Sequence, residues 1–209
     1  MSVMYNALSY LGQVLLVAVL ATVLPGSLVK DKRLRISGVS ALLLLGLFFP
    51  ISGLTFSQLL RSAVGDLSVL TLVIFTNILA QRLFNHNFLK STSRNSLLLW
   101  VTLSGLVFYP LALRLSPFDP YRLGYSPVLM PVILCMISIY SWLGAKRDLA
   151  VIILFPLIAF NLHLLESDNL WDYLMDPILF IYAVIHQIGS IFQRPRKWAQ
   201  HMLAFPQRK

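Results

Sequence analysis

Seven near-continuous apolar runs, parted by short connections, constrain this chain more than any other feature. They are Tyr5–Val29, Ile36–Phe56, Val64–Gln81, Ser96–Leu113, Pro127–Leu143, Leu149–Leu165 and Pro177–Phe192. Each lies close to the length of about 17–25 residues that a helix needs to cross a bilayer. The chain is 57% hydrophobic and 12% charged, with a mean hydropathy of +0.76. A soluble domain carries about 25% charged residues, and no single soluble core could hide this much apolar surface. The expected fold is therefore all-α: a polytopic integral membrane helical bundle of about seven transmembrane helices, residues 1–209 forming one domain. No repeat, low-complexity tract or heptad pattern interrupts it.

Charge sets the expected threading. Residues 1–29 contain no charged side chain, so the basic start of a cleavable signal peptide is missing and 5–29 reads as a retained span that Pro25-Gly26 loosens at its end. Lys30-Asp31-Lys32-Arg33-Leu34-Arg35 follows, with four basic residues in six. Basic loops stay in the cytoplasm, which puts the N-terminus outside and the C-terminus inside. With seven spans the cytoplasmic segments are Lys30–Arg35, Arg82–Asn95, Gly144–Asp148 and the basic tail 193–209. They hold 14 of the 17 Lys and Arg residues. The outer segments hold only Arg61, Arg114 and Arg122, but six of the eight acids. A net charge of +9 distributed this way orients a membrane protein, and no basic helix interleaved with aromatics points to nucleic acid. Tyr109, Tyr121, Tyr125, Trp171 and Tyr173 gather at the outer boundary, and Trp142 and Trp198 at the inner one, as an aromatic belt would. The tail, with Trp198, Met202, Leu203 and Phe205, either lies on an anionic leaflet or is simply solvated. Asp148 is placed to cap the sixth helix, Asp176-Pro177 to open the seventh and Ser126-Pro127 the fifth. Residues 57–66 read as a loop or a short interfacial helix. Cys135, the one cysteine, allows neither an intrachain disulfide nor a cysteine-built zinc site.

The densest chemistry lies in Asn161–Pro177, which holds Glu166, Asp168, Asp172 and Asp176, together with His163 and Trp171. On a helix His163 and Glu166 share a face, and Asp168, Asp172 and Asp176 form an acidic stripe. Such oxygen ligands suit a hard divalent cation, so Glu166, Asp168, Asp172 and Asp176 are the metal candidates; otherwise no cofactor is expected. The plain alternative is an acidic loop that obeys topology and caps a helix. Arg61, with Asp66 and Asp119 as mates, either takes a lipid phosphate together with Arg114 and Arg122 or ties the outer loops together. The turn around Asp119 and the stretch Asn169-Leu170-Trp171-Asp172 look specific without matching a motif. Within the spans, Gln13, Asn77, Gln81, Asn161, His163, His186 and Gln187 are the polar candidates, and Ser37, Gly38, Ser40 and Ala41 mark a close helix contact.

No H-E-x-x-H, EF-hand or G-x-S-x-G pattern occurs, and the reading leans away from an enzyme. The leading function is a non-catalytic multi-pass membrane subunit or accessory protein of a larger complex. It would dock another integral membrane protein through Asp119, Tyr121, Arg122, Trp171, Asp172 and its helix faces. The alternatives are a membrane-embedded enzyme acting on a lipid phosphate or lipid-linked substrate through His163, Glu166, Asp168, Arg114 and Arg122, and a small transporter. The expected location is a bacterial inner membrane.

Overall fold

A computed structural model describes residues 2–23, 31–51, 53–113 and 117–203. The chain is helical. Among the described residues the long helices are α1 (Ser2–Val23), α2 (Lys32–Phe48), α4 (Val69–Phe84), α5 (Ser91–Ala112), α6 (Leu129–Leu143), α7 (Arg147–Asn161) and α9 (Pro177–Leu203). Between them lie the short α3 (Phe56–Val64) and α8 (Leu170–Leu174) and a 3-10 turn at Pro120–Tyr125. Pro50–Ile51 (β1) and Leu54–Thr55 (β2) form a two-residue antiparallel ladder. Pro25-Gly26, Lys30 and Arg114 lie outside the described residues.

Helix α4 is the centre. Leu67, Leu70, Ile74 and Phe75 are buried, and α1, α2, α7, α8 and α9 all contact this helix. Gln13 Nε2 donates to Gly65 O (3.1 Å) and Arg82 Nη1 to Thr22 Oγ1 (3.0 Å), so α1 runs parallel to α4. Hydrogen bonds join Ser68 to Asp176 at one end of the bundle and Lys90 to Asp148 at the other. The short elements α8 and the 3-10 turn pack on each other, α3 leads into the start of α4, and together they form a cap over one end only.

Local chemistry explains the boundaries. Thr55 and Gln58 make a reciprocal capping box at the start of α3. Gly65, at φ +76°, ends α3 in a conformation that glycine adopts without strain, which separates it from α4. Residues 57–64 are thus a short helix of their own, and the third apolar run begins its long helix at Val69 rather than Val64. At three helix ends the left-handed residue is not glycine. Asn85, Ala145 and His163 take left-handed φ values of 56°, 59° and 50°. Each following N–H reaches back a turn, as Lys146 N does to Ser141 O (2.9 Å) and Leu164 N to Ala159 O (3.0 Å). The sixth run therefore ends its helix at Asn161, short of Leu165.

Caps fall close to the sequence expectation, with two shifts. Ser126 Oγ accepts from Leu129 N (3.1 Å), so α6 opens two residues after Pro127. Asp148 sits inside the first turn of α7 but serves α5, accepting from Lys90 N (2.9 Å) and Ser93 Oγ (2.7 Å). Lys90 supplies no side-chain cap for α5, and Asp148 takes that role from another helix. Partial burial pulls its pKa upward, but the Ser93 hydroxyl and Lys90 N–H outweigh this, and the carboxyl titrates below its ordinary value.

Two expectations about helix faces are corrected. Ser37, Gly38, Ser40 and Ala41 are exposed, and a Cβ on Gly38 would meet nothing within 4 Å. The close crossing lies instead at Gly105, where an added Cβ would stand 2.3 Å from Phe180 Cδ2. Tyr173 is fully buried in the core rather than placed in a belt. The outward faces are apolar at helical spacing: Leu99, Leu103 and Leu106 on α5, Val132, Met136 and Ile139 on α6, and Ile181, Ile185 and Ile188 on α9. Among the described residues one helix, Ser91–Ala112, is long and apolar enough by itself to cross a membrane; Val69–Phe84, Leu129–Leu143 and Pro177–Phe192 are shorter apolar helices or segments.

Asp148→Ala should lower unfolding stability by about 1 kcal/mol at neutral pH, the usual worth of a lost cap. A carboxyl whose folded pKa is depressed contributes fully above its unfolded value of about 3.9 and loses that contribution as pH falls through the folded value. The gap between wild type and variant, followed by thermal unfolding, should therefore close below about pH 4.

Candidate functional site

The cap gathers most of the residues singled out in the sequence, and it does so by a network of buried hydrogen bonds. Asn169 is buried and its Oδ1 accepts from Trp171 N (2.9 Å), which starts α8. Its Nδ2 donates to Tyr121 O (2.9 Å), and Trp171 Nε1 donates to Pro120 O (3.0 Å). Asp119 Oδ1 accepts from Tyr121 N (2.9 Å) and opens the 3-10 turn. Gly124 is required at the seam, because a Cβ there would stand 1.7 Å from Asn169 Oδ1. Rings fill the interior: Phe108 lies 4.7 Å from Trp171 and 6.2 Å from Tyr121, centroid to centroid, and Tyr109 lies 4.9 Å from Phe180.

The four acids of 166–176 have four different fates. Asp176 is buried. Its Oδ1 accepts from Leu179 N (2.8 Å), capping α9, while Oδ2 accepts from Ser68 N (2.8 Å) and Thr71 Oγ1 at the start of α4. Asp172 Oδ2 accepts from Tyr121 Oη (2.8 Å) and Ser167 Oγ. Burial first, and then this carboxylate, push the Tyr121 hydroxyl well above its ordinary pKa. Glu166 is exposed and meets Arg61 Nη2 at 3.1 Å. Arg61 also holds Asp66 through two bonds of 2.8 and 3.1 Å, and the Asp66 bond is the largest influence keeping its guanidinium charged. Asp168 is exposed.

The expected stripe does not form. Ser167 and Asn169 break the helix, and Met175-Asp176 break it again, so Asp168, Asp172 and Asp176 do not share a helical face. Likewise His163 and Glu166 are not on one helix. His163 is exposed, occupies the left-handed stop of α7, and its Nδ1 lies 3.2 Å from Asn161 O. Asp66, Glu166, Asp172 and Asp176 do line one cavity of about 410 Å³, together with Ser167 and Met175. Among the described residues no three of His, Cys, Asp and Glu stand together as a metal-binding group. Arg122 is exposed on the 3-10 turn; Arg114 lies outside the described residues.

The Arg61–Asp66–Glu166 network is the tie between loops that the sequence offered as one alternative. Sequence reasoning missed Ser68, Thr71 and Ser167, which donate to the acids, and marked Asn169 only as part of a stretch that looked specific. The available signal was Ser68 with Thr71 three residues on, directly ahead of an apolar run. The polar span residues differ in their partners: Asn77 Oδ1 accepts from Leu89 N (3.1 Å), beyond the end of α4, and Asn161 Nδ2 donates to Leu157 O (2.8 Å) within α7. The side-chain atoms His186 Nδ1 and Gln187 Nε2 are buried without a hydrogen-bond partner among the described residues.

Asp176→Ala should cost about 3 kcal/mol in thermal unfolding, since it strands buried donors at two helix starts. Glu166→Ala removes an exposed pair and should cost less than about 1 kcal/mol. His163→Gly should leave stability unchanged or raise it, because glycine suits the left-handed stop.

Comparison with protein-family models, curated proteins and solved structures finds no match to this chain.

Proposed function

We propose that this chain is a multi-pass integral membrane protein, N-terminus outside and C-terminus cytoplasmic, acting as a non-catalytic subunit that docks a second membrane protein. The observation that carries the reading is the contrast between cap and walls. Two of the metal candidates, Asp172 and Asp176, are bonded inside the cap and, with Trp171, hold α4, α9 and the 3-10 turn together. The walls present apolar side chains at helical spacing, the inverse of a helix packed on a soluble core. A helix of 15 residues spans about 22 Å, short of a hydrocarbon layer of about 30 Å. The adjoining turns and local bilayer thinning make up the difference for α6 and α7.

Threading follows from where charge sits. Lys90, Arg94, Lys146 and Arg147 lie at the end away from the cap, which is then cytoplasmic. The cap faces outward. On it Arg122, Phe118 and Tyr125 are exposed, and Tyr, Arg and Trp are the residues that most often anchor interfaces. Asp119, Tyr121, Trp171 and Asp172 shape that surface from beneath. On α2, the exposed small residues Ser37, Gly38, Ser40 and Ala41 leave a face on which another helix could approach closely. The lipid-phosphate enzyme has less support, because His163 and Asp168 do not line the cavity that Glu166 and Asp172 share. A transporter would be expected to place paired ionisable groups near the midplane, and His186 Nδ1 has no hydrogen-bond partner among the described residues.

The threading predicts labelling by an impermeant thiol reagent in intact cells at Asp168→Cys, and none at Thr92→Cys, both in a Cys135→Ser background. The reverse pattern would overturn the orientation. For docking, gentle detergent extraction from the native membrane should recover the chain with a second integral membrane protein. Arg122→Glu should weaken that association about tenfold while leaving thermal unfolding unchanged. A chain that purifies alone from its native membrane and turns over a lipid phosphate unaided would replace this reading with the enzyme.

A further inference from the structure

Away from the cap, α5, α6 and α7 part to leave a second cavity of about 640 Å³. Trp100, Ile137, Tyr140 and Ile153 line it, with Ser96 and Lys146 at the end nearest the helix turns. Tyr140 and the neighbouring Leu143 are among the most exposed apolar side chains of the chain, so the cavity opens sideways through the helical wall. From Gly144 to Ile137 along α6 it runs about 10 Å at the helical rise.

The cation at its mouth is held in place by the backbone. The left-handed Ala145 turns the chain back, Lys146 N bonds to Ser141 O (2.9 Å), and Lys146 Nζ then donates to Ser96 Oγ (2.8 Å). No ion pair to Lys146 exists among the described residues. The nearby carboxylate, Asp148, is engaged by Ser93 and Lys90 N. Arg147 adds a second positive charge and lies 5.4 Å over the Trp142 ring, at the depth where tryptophan and arginine meet headgroups. An apolar slot of this length, open to the side, with a lysine bonded only to a hydroxyl at its polar end, matches one ligand class in both shape and charge.

We propose that this slot binds one acyl chain of an anionic phospholipid of the cytoplasmic leaflet, with the lipid phosphate on Lys146. The proposal rests on the membrane reading above. The acyl chain lies against Trp100, Ile137 and Ile153, and the phosphate takes the donors that Lys146 does not spend on Ser96.

The test uses the full chain in phosphatidylcholine vesicles that carry a minority of lipid brominated on its acyl chains. The fluorescence difference between wild type and Trp100→Phe isolates Trp100. Brominated phosphatidylglycerol should quench Trp100 more than brominated phosphatidylcholine at the same mole fraction. Lys146→Gln should cut that preference about fivefold, the worth of one lysine at a charged surface, and Lys146→Arg should keep most of it. Free glycerol phosphate should not compete. Equal quenching by the two lipids in wild type, or displacement by glycerol phosphate, would overturn the proposal. A chain that fails to float with vesicles would sink the membrane reading itself; one that floats without lipid preference would sink this inference alone.

Discussion

A single buried carboxylate joins the two helix starts on which the rest of the structure leans. Asp176 caps α9 with one oxygen and holds Ser68 N–H and the Thr71 hydroxyl of α4 with the other. Burying a charge is costly unless hydrogen bonds replace its water, and here three protein donors do so. Both helices also turn their positive N-terminal ends toward it. The geometry makes the joint specific. Shifting either helix by one residue would strand a donor and leave part of the charge unpartnered. Central α4 and long α9 are thereby fixed in register, and α1, α5 and α7 pack around the pair.

The cap follows from that joint. Once α9 starts at Pro177, the preceding Met175 and Asp176 must be extended, and α8 is a separate turn folded back toward the 3-10 segment. Asn169, Tyr121, Trp171 and Asp172 then saturate one another, with Gly124 leaving room for the Asn169 amide. Asp172 and Asp176, two of the acids that stand out in the linear sequence, are each bonded across the cap. The side chains left exposed lie on the surface: Arg122, Phe118 and Tyr125 on the cap and the small residues of α2, with the slot beside Lys146 opening between α5, α6 and α7.

Helix content and order were legible because apolar runs and proline-adjacent caps are local signals. Asp176-Pro177 opens α9 where the sequence places it, whereas 57–66, read as a loop or a short interfacial helix, holds most of the separate helix α3. The stops were harder. Asn85, Ala145 and His163 stand left-handed at their helix ends; asparagine is a known stop of this kind, but nothing in the identity of Ala145 or His163 announces it. Partners distant in sequence were invisible for another reason. Asp148 caps α5 across 58 positions and Asp176 reaches Ser68 across 108, distances over which no periodicity carries information. The stripe Asp168–Asp172–Asp176 failed because helical spacing was assumed across Asn169 and Met175, where the chain turns.

Amide hydrogen exchange on the chain in a lipid bilayer tests the central joint most directly. If Asp176 pins α4 to α9, the amides of Ser68 and Leu179 should exchange only with opening of the whole bundle, among the slowest in the protein. The amide of Asp168, on the exposed side of the cap, should exchange many-fold faster. Ser68 and Leu179 exchanging as quickly as Asp168 would contradict the account, because the joint would then open without the bundle.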